Sequence, residues 1–211
     1  MMSKQITFYF IRHGRTQWNE QGLLQGSGNS PLTEQGIAGA LKTGVALQQI
    51  EFTAAYSSIL QRAIDTAGHI IGQRSIPLFQ HCGLNEQSFG SWEGMQIADL
   101  RKLTEFKQLT NDPAAYKALS NGGETFEQLA VRAMASLYDI IKVHQSGANI
   151  LVVSHGHTLR LLLSLLGGAT WENHRDEGKS VSLLNTSIST VKYDSESGFH
   201  IEQFNDVAHL Q

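Results

Sequence analysis

One junction limits the folds open to this chain. The run Ile6-Thr7-Phe8-Tyr9-Phe10-Ile11 stops abruptly at Arg12-His13-Gly14-Arg15-Thr16. Six residues rich in β-branched and aromatic side chains read as a strand buried on both faces, as in the middle of a parallel sheet. The basic cluster that follows cannot be core. In open α/β sheets the edge beyond the carboxyl ends of the strands is where ligands bind. Arginines placed there suit an oxyanion, and phosphate best fits the guanidinium fork. The histidine between them is the candidate for chemistry.

The rest of the chain alternates helix and strand. Glu20 to Pro31 reads as a glycine-rich loop, and Thr33 then caps a helix with Glu34 in its first turn. Phe52 to Tyr56 is a short second strand. Ser58-Ile59-Leu60-Gln61 has the capping-box pattern, opening a helix with Ile64, Ala67, Ile70 and Ile71 inward and Arg62 in its first turn. Ile76 to Gln80 is a third strand, followed by an irregular stretch from His81 to Gly94. Residues 99–119 are helical in composition but broken at Asp112-Pro113, and a helical lid or insertion is expected over about 96–121. Thr125 to Gln128 is another capping box, heading the clearest helical stripe in the chain, Phe126 to Ile141. Asn149 to Val153 is a fourth strand. It ends in Ser154-His155-Gly156, and an apolar helix follows through Leu166. Ser187 to Tyr193 and Phe199 to Phe204 read as a closing hairpin. The expected fold is α/β: a three-layer αβα sandwich in a single domain over 1–211, with a mostly parallel central sheet and an antiparallel edge strand.

Composition narrows the function. With 16 Lys and Arg against 19 Asp and Glu the net charge is -3, which argues against nucleic-acid or membrane-surface partners. The single cysteine, Cys82, forbids an internal disulfide and fits a reducing compartment. No run is long enough for a membrane span, so a cytoplasmic enzyme, monomer or homodimer, is the expectation.

Three strand ends carry polar cargo: Arg12-His13, the helix start with Arg62, and His155-Gly156. In a parallel sheet these ends share one side. Two Arg, two His and two helix N-termini then converge on one pocket suited to an anion. That set fits phosphoryl transfer, with Arg12, Arg62 and His155 neutralising the non-bridging oxygens and His13 a neutral nucleophile. The leaving oxygen needs an acid, and Glu86 and Glu93 both lie in the loop after the third strand. Without an aspartate cluster or P-loop, no metal and no cofactor is expected. A metal pair at His155 and His157 is the competing reading, with no third ligand evident.

The same residues resemble a known family. Arg12-His13-Gly14-Arg15-Thr16 with Asn19 resembles the R-H-G-x-T-x-x-N signature of the histidine phosphatase superfamily, which has the phosphoglycerate mutase-like fold. The likeness continues through Leu24-Gln25-Gly26, Ser30-Pro31-Leu32-Thr33, Ser57-Ser58 with Arg62-Ala63, Leu84-Asn85-Glu86, Phe89-Gly90, Glu93-Gly94, Gly122-Gly123-Glu124, and Ser154-His155-Gly156 with Arg160. It spans nearly the whole chain in the family's order. The resemblance implies that His13 is phosphorylated transiently. It implies a phosphate pocket of Arg12, Arg62 and His155, with Glu86 as acid and then base. Asn19, Gln25, Gly26 and Gly156 would line the substrate pocket, and no metal would be used.

Within the family, mutases show E-R-H-Y-G where this chain has Glu86-Gln87-Ser88-Phe89-Gly90, and Asn where it has His157. They also tend to be longer. These departures point to a phosphatase acting on a small phosphorylated metabolite. A phosphoglycerate mutase is the alternative, and a non-catalytic binder of a phosphorylated ligand the third reading. The basic residues Arg101, Lys102, Lys107 and Lys117 would either meet a second charged group on the substrate or form a solvated helix face.

Overall fold

The computed structural model describes residues 3–211. Six strands form one sheet in the order β3-β2-β4-β1-β5-β6. In chain order they are β1 (Gln5–Arg12), β2 (Ala54–Ser57), β3 (Leu78–Gln80), β4 (Ala148–Ser154), β5 (Ile188–Asp194) and β6 (Gly198–Asp206). The first four are parallel neighbours. β5 runs against β1, and β6 pairs antiparallel with β5, so the antiparallel edge is a two-strand hairpin.

Among the described residues seven α-helices accompany the sheet: α1 (Gln17–Gln21), α2 (Glu34–Ala46), α3 (Gln61–Ile71), α4 (Ile97–Leu100), α5 (Thr104–Asn111), α6 (Phe126–Val143) and α7 (Gly156–Leu166). The period-two geometry of a strand sorts the central residues into two layers. Ile6, Phe8, Phe10, Ile150 and Val152 pack with Leu137 and Ile140 of α6 and Leu159 and Leu162 of α7. Ile11, Leu151 and Val153 face the other way, onto Ala40 of α2 and Ala63, Ala67 and Ile70 of α3. The result is the three-layer α/β architecture. No helix among the described residues is long and apolar enough to cross a membrane.

Three local expectations need correction. The loop read over Glu20 to Pro31 begins inside a short helix. Thr16 and Asn19 form a capping box around the five-residue α1, hidden in the sequence because Asn stands where Glu or Gln marks the motif. Ser58 does not cap α3, whose N-cap Leu60 has no side-chain bond. The Ser58 hydroxyl accepts the Leu60 N–H at 3.2 Å and turns to His155 instead. The third strand begins at Leu78 rather than Ile76, since Pro77 has no N–H for the ladder.

The excursion is held more firmly than a loose lid. α5 stops at Asn111, and Asp112 turns extended before Pro113. Phe89, Trp92, Leu100, Phe106, Leu109 and Tyr116 form a third apolar cluster against Phe126 and Leu129 of α6 and Leu161 of α7.

Candidate active site

The ends of β1 and β4 lie side by side, Arg12 in register with Ser154, and the His13 N–H donates to the Ser154 carbonyl at 2.9 Å. The His13 ring is 3% exposed. Its Nδ1 lies 2.8 Å from the Gly14 carbonyl. A carbonyl only accepts, so Nδ1 carries the hydrogen and Nε2 bears the lone pair. Burial, then the Arg62 and Arg12 charges, hold its pKa well below the ordinary histidine value. The ring is therefore neutral at pH 7.

The two arginines differ in what their donors already do. Arg62 is 1% exposed and spends four of five N–H donors inside the protein. Nε donates to His155 Nδ1 at 3.2 Å, Nη1 to the Gly28 carbonyl at 2.8 Å and Asn29 Oδ1 at 3.0 Å, and Nη2 to the Gly26 carbonyl at 2.6 Å. Burial pushes its pKa down to about 10. Arg12 makes one bond, Nη1 to the Leu183 carbonyl at 2.5 Å, and its enclosed Nε has no partner. Its guanidinium lies against Gly156, where a Cβ would come within 3.3 Å of Cζ. A side chain there would displace the fork.

His155 is fully buried, with its ring centroid 5.0 Å from that of His13. Because Arg62 donates to Nδ1, Nε2 carries the proton and donates to Ser58 Oγ at 2.6 Å. Burial, then Arg62, His13 and Arg12, keep His155 well below the ordinary pKa. His157 has both nitrogens engaged as well. The Glu124 carbonyl fixes the Gln87 amide at 2.8 Å, so Gln87 Oε1 accepts from His157 Nδ1 at 2.8 Å. Arg175 Nη2 then donates to His157 Nε2 at 3.3 Å. The two histidines do not pair, and no group of three or more metal-ligating side chains assembles among the described residues.

The two glutamates separate by their partners. Glu86 sits on the N-terminus of α7, where free N–H groups attract a carboxylate. Oε1 accepts from Thr158 N and Oγ1, both at 3.0 Å, and from Gln87 N at 2.9 Å. Oε2 has one partner, the His157 N–H at 3.1 Å. Glu93 instead ties down the loop that carries the Arg62 acceptors. It takes the N–H groups of Ser27 at 2.9 Å, Gly28 at 2.7 Å and Phe89 at 3.0 Å.

A cavity of about 200 Å³ opens over this set, and Arg12, His13, Asn19, Gln25, Glu86 and Gly156 all line it. Asn19 is held by its Oδ1 on the Thr16 N–H at 3.1 Å, and Gln25 by Thr16 Oγ1 at 2.8 Å. Gly26 contributes through its carbonyl to Arg62. Arg15 turns away, pairing with Glu20 at 3.5 Å and Gln35 at 3.0 Å.

A family model described as Histidine phosphatase superfamily (branch 1) matches residues 8–207. The chain belongs to this superfamily. It is 34% identical over 212 residues to the Probable phosphoglycerate mutase GpmB of Salmonella paratyphi A, covering 97% of this chain and 95% of that protein. Among solved structures it is similar to Bacillus stearothermophilus YhfR, with a TM-score of 0.90 at 31% identity, covering 98% of this chain and 100% of the other. It is also similar to a phosphoserine phosphatase from Entamoeba histolytica in complex with 3-phosphoglyceric acid. There the TM-score is 0.82 at 26% identity, covering 98% and 100%.

As a histidine phosphatase superfamily member the chain carries support that sequence reasoning did not reach. Arg132 on α6 forms a bidentate pair with Glu124, at 2.6 and 2.7 Å, and donates to the carbonyls of Gly83, Asn85 and Glu86. It fixes the backbone that delivers Glu86. Asn185 Nδ2 donates to the His13 carbonyl at 2.8 Å. Residues 169–186, which no pattern had assigned, border the cavity through Ser182 and Leu183. Ser58 was visible as a helix cap and as half of a serine pair, not as the partner of His155. Arg101, Lys102, Lys107 and Lys117 are exposed and line no part of this cavity.

Proposed function

We propose that the protein is a phosphomonoester hydrolase working through a phosphohistidine on a small phosphorylated metabolite. The observation that carries this is the locked tautomer of His13, a free Nε2 lone pair beside an arginine with all but one of its donors unspent. The cavity is smaller than those that hold drug-sized ligands, which suits a metabolite.

The phosphoryl group docks on Arg12, while Arg62 and His155, which do not line the cavity, support it from behind, Arg62 by its charge and His155 by packing beside the His13 ring. His13 Nε2 forms a bond to phosphorus as the ester P–O bond breaks, and the leaving oxygen takes a proton from Glu86 Oε2. Water then attacks the phosphohistidine. Glu86 accepts its proton, the P–N bond breaks, and phosphate departs with His13 and Glu86 restored. Asn19, Gln25 and Gly156 shape the wall around the ester. No step calls on a metal.

His13→Ala is expected to lower hydrolysis of 4-nitrophenyl phosphate by roughly 10⁴-fold or more, and chelator to leave the wild-type rate unchanged. The native protein mixed briefly with substrate should gain the mass of one phosphoryl group, lost in the variant. Near-native turnover by His13→Ala defeats the proposal. The likeness to the Salmonella protein favours a second reading, a phosphoglycerate mutase. Offering 3-phosphoglycerate with catalytic 2,3-bisphosphoglycerate separates the two. Isomerisation faster than phosphate release selects the mutase.

A further inference from the structure

The cavity extends past the His13 end to a wall that the chemistry above does not use. Arg160 lines it from α7. Its Nε donates to Ser180 Oγ at 2.8 Å, Nη2 to the Ser180 carbonyl at 3.3 Å and Nη1 to Ser182 Oγ at 3.5 Å. Two of its five donors stay unspent, one on each terminal nitrogen. Behind it Arg175 packs its guanidinium over the Phe126 ring at 5.1 Å and donates to His157, which also lines the cavity. Its enclosed Nε has no partner. No carboxylate within salt-bridge distance of Arg12, Arg62, Arg160 or Arg175 occurs among the described residues. Among the described residues Glu86 is the one carboxylate that lines the cavity.

A cluster of this kind is expensive without a ligand. Burial and the neighbouring Arg160 charge push Arg175 down to about 9. Glu86 offsets part of this charge from across the cavity, but no carboxylate forms an ion pair with Arg160 or Arg175 among the described residues. A phosphoryl dianion on Arg12 leaves Arg160, which lines the same small cavity, without an ion-pair partner, and Arg175 stands behind that wall.

We propose that Arg160, reinforced by Arg175 from behind the His157 ring, forms a second anion subsite. The substrate is then a phosphomonoester whose leaving group carries an acidic group of its own, a carboxylate or a second phosphate, close to the ester oxygen. Arg160 contacts that group directly with its free fork. Arg175 is a positioning residue, raising the local potential and fixing the wall. The assignment rests on the phosphatase reading for the orientation of the ester.

The test measures equilibrium binding to the full chain carrying His13→Ala, so that turnover does not enter. The probes are glycerol 3-phosphate, 3-phosphoglycerate, and propane-1,3-diol bisphosphate: one neutral leaving group, one carboxylate, one second phosphate. At least one anionic probe is expected to bind about tenfold or more tighter than glycerol 3-phosphate, the scale of one charge-assisted hydrogen-bonded pair. Whichever probe wins names the acidic group. Adding Arg160→Gln should bring that ratio close to one, Arg160→Lys should restore part of it, and Arg175→Gln should lower it by a smaller factor. A structural role alone would weaken all three probes alike and leave the ratio in place. A ratio near one in the starting protein, or one that survives Arg160→Gln, overturns the subsite. Failed hydrolysis by the wild type with the ratio intact overturns the phosphatase reading alone.

Discussion

The two ends of the cavity are built by different means. The phosphoryl end hangs on strand ends and helix starts: His13 on β1, His155 on β4, Arg62 on α3, Glu86 against α7. Their side chains are locked by backbone groups at the end of β1, in the Gly26 loop and in the first turn of α7. The far wall is mixed: Arg160 reaches it from α7 and Ile97 from the start of α4, but both face the irregular chain at Ser182 and Leu183, and serine hydroxyls and single carbonyls hold the arginines there. The contrast is a division of labour. Bond-making needs atoms held within tenths of an ångström, which regular elements supply, while selection among leaving groups can vary on loops without disturbing them.

If that division is right, damage at the phosphoryl end should appear in the chemical step. Glu86→Gln keeps the shape and the contacts with Thr158 but cannot donate and accept a proton in turn. An alkyl phosphate is expected to lose about 10³-fold in kcat. An aryl phosphate with a good leaving group should lose far less in the first step, so phosphohistidine should accumulate. Quench-flow with intact mass reads both. Equal loss on the two esters, with no covalent intermediate, would move Glu86 out of the proton-transfer role.

Arg12 and Arg62 break the comparison down further, because one is free and the other committed. Arg12→Gln is expected to cost about 10²-fold in kcat/KM with the melting temperature nearly unmoved. Arg62→Gln strands the carbonyls of Gly26 and Gly28 and unseats His155. At about 3 kcal/mol for the buried charge-assisted bonds lost, a chain of this size should melt about 6–12 °C lower. Thermal denaturation of both variants decides it. Matching losses of stability would mean Arg12 is as structural as Arg62.

How much of this was legible follows the same line. The sheet, the helices and His13, Arg12, Arg62 and His155 were readable, because a strand that ends in charged residues announces its own polarity. The residues alone left Glu86 and Glu93 open, since both lie in one loop; the family resemblance pointed to Glu86, and the N–H groups each meets now distinguish them. Arg132 was hidden on an otherwise ordinary helix, acting on carbonyls more than forty residues away in sequence. Arg175 was hidden because residues 169–186 have no periodicity to read. Ser58 was misassigned because a capping box and a buried hydroxyl partner look alike in sequence.

Proton linkage offers a milder perturbation of the phosphoryl end. Burial holds His13, His155 and His157 well below the ordinary value and His174 at about 4. In the unfolded chain these rings protonate near 6.5. Between the two values the unfolded state binds more protons, so native stability is whole above about pH 6.5 and declines as pH falls toward 4. Thermal melts should show that decline. The nucleophile should meanwhile stay unprotonated, so kcat/KM, corrected for the ester's own titration near about 6, should show no acid limb at 6.5. A limb there would place His13 in ordinary solvent contact.

The smallest effect is expected where the sequence first suggested a second charge reader. Arg101, Lys102 and Lys107 are exposed, and Lys102 pairs only with its neighbour Asp99 at 2.7 Å. Lys117 lies over the Trp171 ring at 5.7 Å, outside the cavity. At that degree of exposure solvent and salt screen what little they contribute. Replacing Arg101, Lys102 and Lys107 together by alanine should leave KM for an anionic ester within about twofold at physiological ionic strength. Repeating the measurement at low salt sharpens the point. A rise in KM confined to low salt marks long-range steering by the helix face. A rise that persists at high salt would put these residues in contact with the leaving group, in place of Arg160.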